Sequence, residues 1–98
     1  MGSTARRGID ALANVLRIVG MLIVAVLVVH IALTLLEANP ANALATVIRD
    51  LADTLSLGLQ DLFLPADPRL AVLLNYGTAA LIWFAITTVV VRLVRRIP

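Results

Sequence analysis

Two uninterrupted apolar runs constrain this chain more than any other feature. Nineteen residues, IVGMLIVAVLVVHIALTLL, lie between Arg17 and Glu37, and twenty-two, LAVLLNYGTAALIWFAITTVVV, lie between Arg69 and Arg92. Neither contains a formal charge. A hydrocarbon core about 30 Å thick needs about 20 apolar helical residues, so each run is long enough to cross it. Val and Ile favour strands in water, but in lipid the helix is preferred because it satisfies its own backbone hydrogen bonds. Composition leaves few alternatives. Of 98 residues, 61% are hydrophobic and 14% charged, against about 45–50% and about 25% in soluble domains. A chain this short buries too little surface to hide the excess. Without cysteine it has no disulfide scaffold. A soluble enzyme and a disordered tail are excluded at this level, and a small integral membrane protein remains.

The arginines orient it. Arg6, Arg7 and Arg17 precede the first run, Arg92, Arg95 and Arg96 follow the second, and only Arg49 and Arg69 lie between them. Counting the carboxylates, the N-terminal part carries +2, the connector −3 and the C-terminal part +3. The positive-inside rule puts both termini in the cytoplasm and the connector outside. The six terminal arginines are read as cytoplasmic anchors on anionic headgroups rather than as a nucleic-acid surface. The expected location is a bacterial cytoplasmic membrane.

The connector carries its own pattern. Asn39-Pro40 is a helix-start signal. Beyond it Leu44, Val47, Ile48, Leu51, Leu55, Leu59 and Leu62 recur at spacings of three and four, as an amphipathic helix over about 40–63 requires. Thr46, Arg49, Asp50, Asp53, Ser56, Gln60 and Asp61 take the opposite side, and Leu57 alone is misplaced. Gly58 weakens the middle and marks a bend. Such a helix is predicted to lie in the outer interface, apolar face down. Leu64-Pro65-Ala66-Asp67-Pro68 reads as a turn, with Asp67 capping the second span and Pro68 at its first position. The expected fold is an all-α membrane protein, a two-helix transmembrane hairpin joined by an amphipathic interfacial helix. Its segments are an N-terminal tail 1–17, a span 18–36, a connector 37–67, a span 68–91 and a basic tail 92–98. Ala41-Asn42-Ala43 has the form of a signal cleavage site, but the apolar core is too long for a signal and the first run is read as retained.

Polar residues inside the spans need an account. His30 lies seven residues before Glu37 and Asn75 seven after Pro68, so both sit about 10 Å below the outer end of their helices. A His30–Asn75 hydrogen bond across the hairpin is therefore expected, as packing glue or as a protonatable lining of a polar path. Gly77, Ala79 and Ala80 form a small-residue helix-packing face. Trp83, near mid-span, is expected to pack on another helix. Catalytic constellations do not appear: there is no cysteine, and the single histidine has no carboxylate in either run. No metal-ligand spacing or phosphate loop is present either. No cofactor and no small-molecule substrate are expected.

The order of elements resembles the YggT/YlmG family of small bacterial and plastid membrane proteins. The resemblance rests on Asn39-Pro40-Ala41-Asn42 after the first span, on the amphipathic run ending in Phe63-Leu64-Pro65, and on Asp67 before the second. It covers roughly residues 25 to 90 and implies an accessory role in membrane or division-site organisation, or in osmotic and ion homeostasis. It implies no catalytic residue. The residues themselves point first to a non-catalytic hairpin that packs with itself or with a larger membrane protein in a scaffolding role. The alternative is a homo-oligomeric pore or channel, holin-like or ion-conducting.

Overall fold

The computed structural model describes residues 3–98, and within them three helices account for the regular structure: α1 (Ser3–Leu35), α2 (Ala43–Leu55) and α3 (Pro68–Arg95). Both α1 and α3 are long and apolar enough to cross a membrane. Helix α1 begins well before the first apolar run. The residues read as an N-terminal tail, from Ser3 on, are its first four turns; the first two lie outside the described residues. Alanine, leucine and arginine there favour helix, and Arg6 meets Asp10 one turn on, at 3.4 Å. The helix stops where Glu37 turns left-handed, at φ 57°. Ala38 N–H then donates to Leu33 O at 2.8 Å and Glu37 N–H to Thr34 O at 3.1 Å, the paired bonds that close a Schellman end.

Helix α2 is shorter than the predicted 40–63. Its cap is Asn42, whose Oδ1 accepts from Leu44 N at 2.9 Å and Ala45 N at 3.3 Å. Asn39, the expected cap, instead folds its side chain onto Ala41 N at 3.0 Å, making a turn ahead of the helix. The C-terminal limit is set by Leu57 and Gly58, at φ 60° and 74°. Two successive left-handed residues reverse the chain, so Leu59 and Leu62 do not continue the helical stripe. Leu57 looked misplaced on the wheel because the wheel ends at Leu55. Helix α3 starts as expected: Asp67 Oδ1 accepts from Arg69 N at 2.9 Å, with proline in the first turn. It continues past residue 91 to place Arg92 and Arg95 in its last turn, where cations complement the carbonyl end of the dipole.

Helices α1 and α3 pack antiparallel. Ala13, Leu27 and Ala79 are fully buried, and Ile31, Tyr76 and Ala80 nearly so. The helices approach closely at Gly20: a Cβ built there would stand 2.8 Å from Thr87 Cβ and collide with its hydroxyl and methyl. At the arginine end, Arg6 donates to Arg95 O at 2.9 Å and to Ile97 O at 3.1 Å, and Arg95 donates to Asn14 Oδ1 at 3.1 Å. With Arg69 and Glu37 paired at 3.4 Å at the connector end, the hairpin is bridged at both ends of its length.

The connector does not lie across the hairpin's end. Ala45 and Arg49 stand beside Thr34, Leu33 and His30, and Ala52 packs with Leu27, Ile31, Tyr76 and Ala79. The carbonyl of Leu55 receives the indole of Trp83. Along α2 the neighbours therefore move down both long helices, and α2 runs back beside the hairpin, antiparallel to α1. Trp83 is fifteen residues into α3, so the tip of α2 lies about 20 Å from the connector end.

Candidate functional site

The tip of α2 and the strand of chain that returns from it lack the backbone partners a continuous helix supplies. Side chains fill the gap. Ser56, fully buried, donates its Oγ to Asp53 O at 2.7 Å, and Gln60 Nε2 donates to the same carbonyl at 3.1 Å. Trp83 Nε1 donates to Leu55 O at 2.8 Å. Asn75, 1% exposed, makes three bonds to the returning segment. Its Oδ1 accepts from Phe63 N at 2.7 Å, and its Nδ2 donates to Gln60 O at 2.7 Å and Phe63 O at 3.0 Å. Asn75, Tyr76, Ala79 and Trp83 share one face of α3 at helical spacing. Of these, Asn75 and Trp83 supply polar atoms to the connector backbone, and Ala79 leaves room for Ala52.

Tyr76 joins the same face to the charged side of α2 through its hydroxyl, which donates to the Asp53 carboxylate. The His30 ring meets Tyr76 edge-on, with centroids 4.5 Å apart and planes at 68°, the arrangement aromatic quadrupoles favour. On its other side His30 borders a cavity of about 190 Å³ with Thr34, Ala45 and Arg49. Beyond it Arg49, Asp50 and Asp53 form an exposed charged side of α2, with Arg49 and Asp50 paired at 3.7 Å.

The geometry redistributes the expected roles. His30 and Asn75 are both buried near the same level, but among the described residues no hydrogen bond joins them. The polar atoms of Asn75 are taken by Gln60 and Phe63 backbone, which lies nearer than the imidazole and has no other partner at those atoms. Ala79 and Ala80 pack inside the hairpin rather than forming a free face. Gly77 takes no part, since a Cβ there would meet nothing within 4 Å. The six arginines divide. Arg6 and Arg95 bond within the protein, whereas the side chains of Arg7, Arg17, Arg92 and Arg96 have no hydrogen-bond or carboxylate partner among the described residues.

Sequence reasoning put Asp53, Ser56 and Gln60 on the polar side of the connector helix without partners, whereas Ser56 is fully buried, and it did not assign Gly20 or the acceptor of Trp83. One signal was present: an indole N–H far from either end of an apolar run requires an acceptor, and only a helix C-terminus or non-helical backbone offers a free carbonyl. The described residues contain no group of three His, Cys, Asp or Glu placed to hold a metal ion. What the arrangement does is hold an irregular segment against a helical pair with every buried side-chain polar atom bonded. Comparison with protein-family models, with curated proteins and with solved structures returns no match.

Proposed function

We propose that the chain is a non-catalytic integral membrane protein, an α1/α3 hairpin spanning the bilayer with both termini cytoplasmic and α2 as a re-entrant arm. Its role is accessory: it packs through α2 against a second copy or a larger membrane protein. The observation that carries this is the charged side of α2, Arg49, Asp50 and Asp53, running beside the first apolar run at the level of His30. A core about 30 Å thick uses nearly all nineteen residues of that run, so these charges stand below the surface. Facing lipid, each ionised group at the bilayer centre costs about 2.5–3.5 kcal/mol. The Arg49–Asp50 pair offsets part of that, and protein or water over the face removes the rest. Irregular backbone at such depth is tolerated only where protein covers it or where it lines water, and the bonds from Asn75 and Trp83 supply part of that cover. The resemblance to YggT/YlmG proteins points the same way. A second reading, several copies surrounding water with these faces inward, draws on the same charges and on the adjacent His30.

Because the chain lacks cysteine, single-cysteine cross-linking in membranes is a direct test. Thr54→Cys, on the open side of α2, is expected to yield a dimer or a heteromeric adduct. Ile82→Cys, on the exposed side of α3, is expected to stay monomeric. Monomer from both variants refutes assembly through α2. A closed oligomer of four or more copies by native mass spectrometry, with water-soluble maleimide reaching Thr54→Cys, selects the pore reading.

A further inference from the structure

Towards the arginine end of the hairpin, α1 and α3 leave a groove of about 660 Å³ along one side of the Gly20–Thr87 contact, within the roughly 300–1,000 Å³ of small-molecule sites. Its walls are apolar, with Met21, Leu22, Ala25 and Phe84 among them, and Arg17 and Arg92 stand at its mouth, one from each helix. Thr88 adds no free donor, because its hydroxyl is spent on Phe84 O at 2.9 Å. No carboxylate lines the groove. Neither arginine has a carboxylate partner among the described residues, whereas Arg6, Arg49 and Arg69 each have one. From Arg17 to Ala25 the groove extends about 12 Å along α1, against about 15 Å for one leaflet's hydrocarbon.

We propose that this groove is a binding site for an anionic phospholipid, whose phosphate is held by Arg17 and Arg92 and one of whose acyl chains fills the slot. The proposal rests on the membrane-spanning reading above. The two halves of the site select the ligand together. A soluble anion satisfies the arginines but leaves the slot empty, and an apolar molecule fills the slot but leaves two guanidinium groups without an anion. A diester phosphate suits the planar donor fork of arginine. A zwitterionic headgroup brings an ammonium towards two like charges and is disfavoured. Generic attraction of basic residues to an anionic surface requires no groove, and that difference makes the site testable.

The full chain is purified in detergent and offered dioleoyl phosphatidylglycerol and dioleoyl phosphatidylcholine in equal amounts, and retained lipid is read by native mass spectrometry. One phosphatidylglycerol per chain is expected, preferred by about tenfold or more, as two arginines near a phosphate imply. The double variant Arg17→Gln/Arg92→Gln brings the preference to within about twofold. Arg7→Gln/Arg96→Gln, which removes the same charge outside the groove, leaves it unchanged. Ala25→Phe keeps both arginines, obstructs the slot and lowers retention. Equal loss from the two arginine pairs, full retention by Ala25→Phe, or equally tight binding of glycerophosphoglycerol without acyl chains overturns the site. Circular dichroism confirms that each variant is folded. Flotation with phosphatidylcholine vesicles separates the two layers of the argument. A chain that fails to float refutes the membrane reading and the site with it, and one that floats without lipid preference refutes the site alone.

Discussion

Replacing Asn75 with leucine keeps the number and branching of the side-chain heavy atoms and removes three hydrogen bonds at once, those to Phe63 N, Phe63 O and Gln60 O. Interhelical side-chain bonds in membranes average about 0.6 kcal/mol and reach about 1.7, so three give roughly 2 kcal/mol at the average and about 5 at the upper end. The upper half of that range applies here. Asn75 is 1% exposed, and the groups it bonds belong to a turn with no helical partner to fall back on, so they are left unsatisfied rather than exchanged. His30→Leu is the matched control. It breaks no side-chain hydrogen bond among the described residues and loses the edge contact with Tyr76, worth about 0.5–1.5 kcal/mol. The assay is reversible unfolding in mixed micelles followed by the emission of Trp83, the sole tryptophan. Its indole is bonded to the connector, so detachment of α2 changes its surroundings directly. Asn75→Leu is expected to cost about 3–5 kcal/mol and His30→Leu less than about 1.5. Equal costs for the two, or a cost under about 1 kcal/mol for Asn75→Leu, refute the reasoning, because the connector would then be held by something other than these bonds.

Other perturbations probe the remaining contacts. Gly20→Ala forces a Cβ against buried Thr87 and is expected to destabilise by about 1–3 kcal/mol; Thr87→Ala in the same chain recovers part of that, as a double-mutant cycle in micelles measures. Trp83→Phe strands the Leu55 carbonyl and is expected to cost about 1–3 kcal/mol by circular dichroism, with greater proteolysis around residues 56–64. Leu57→Gly relieves a left-handed conformation that costs an L-residue about 1–2 kcal/mol, less the added freedom of glycine. A net gain of roughly 0.5–1 kcal/mol is expected, and any loss shows that the exposed Leu57 side chain contributes more than the strain.

Legibility in the sequence followed the range of each interaction. Asp67-Pro68 specified the start of α3 because a cap and a proline act within three residues. The Gly58 bend was visible for the same reason, but its consequence was not. A helical wheel keeps assigning faces beyond a break, so Leu59 and Leu62 joined a stripe that stops at Leu55. The depth match of His30 and Asn75 followed from helix rise alone. Their partners did not, because the nearest unsatisfied groups to Asn75 are backbone atoms of Gln60 and Phe63, and pairing side chain with side chain overlooks such acceptors. Gly20 and Thr87 lie 67 positions apart in the chain, and their contact depends on the rotation of two helices about their axes, which composition does not set. The N-terminal helix was hidden by its charges: Arg6 and Asp10 marked a tail, while their spacing of four and the free carbonyls at the end of α3 made them part of the helix and its closure.

One feature of the connector bears on how the protein is made. The side chains of α3 that secure it, Asn75, Tyr76 and Trp83, all lie C-terminal to it. Synthesis runs from the N-terminus, so when residues 43–63 leave the ribosome α1 is already made for α2 to pack on, but the α3 side chains that bond the tip of α2 and the segment after it have not yet been polymerised. A thirteen-residue helix is marginal alone in water, and its tip has bare carbonyls until Trp83 arrives. Fixing the tip of α2 and the returning segment is therefore a late event, set by the arrival of the last third of the chain. A nascent chain stalled before residue 75 leaves the tip of α2 and the segment after it without these partners.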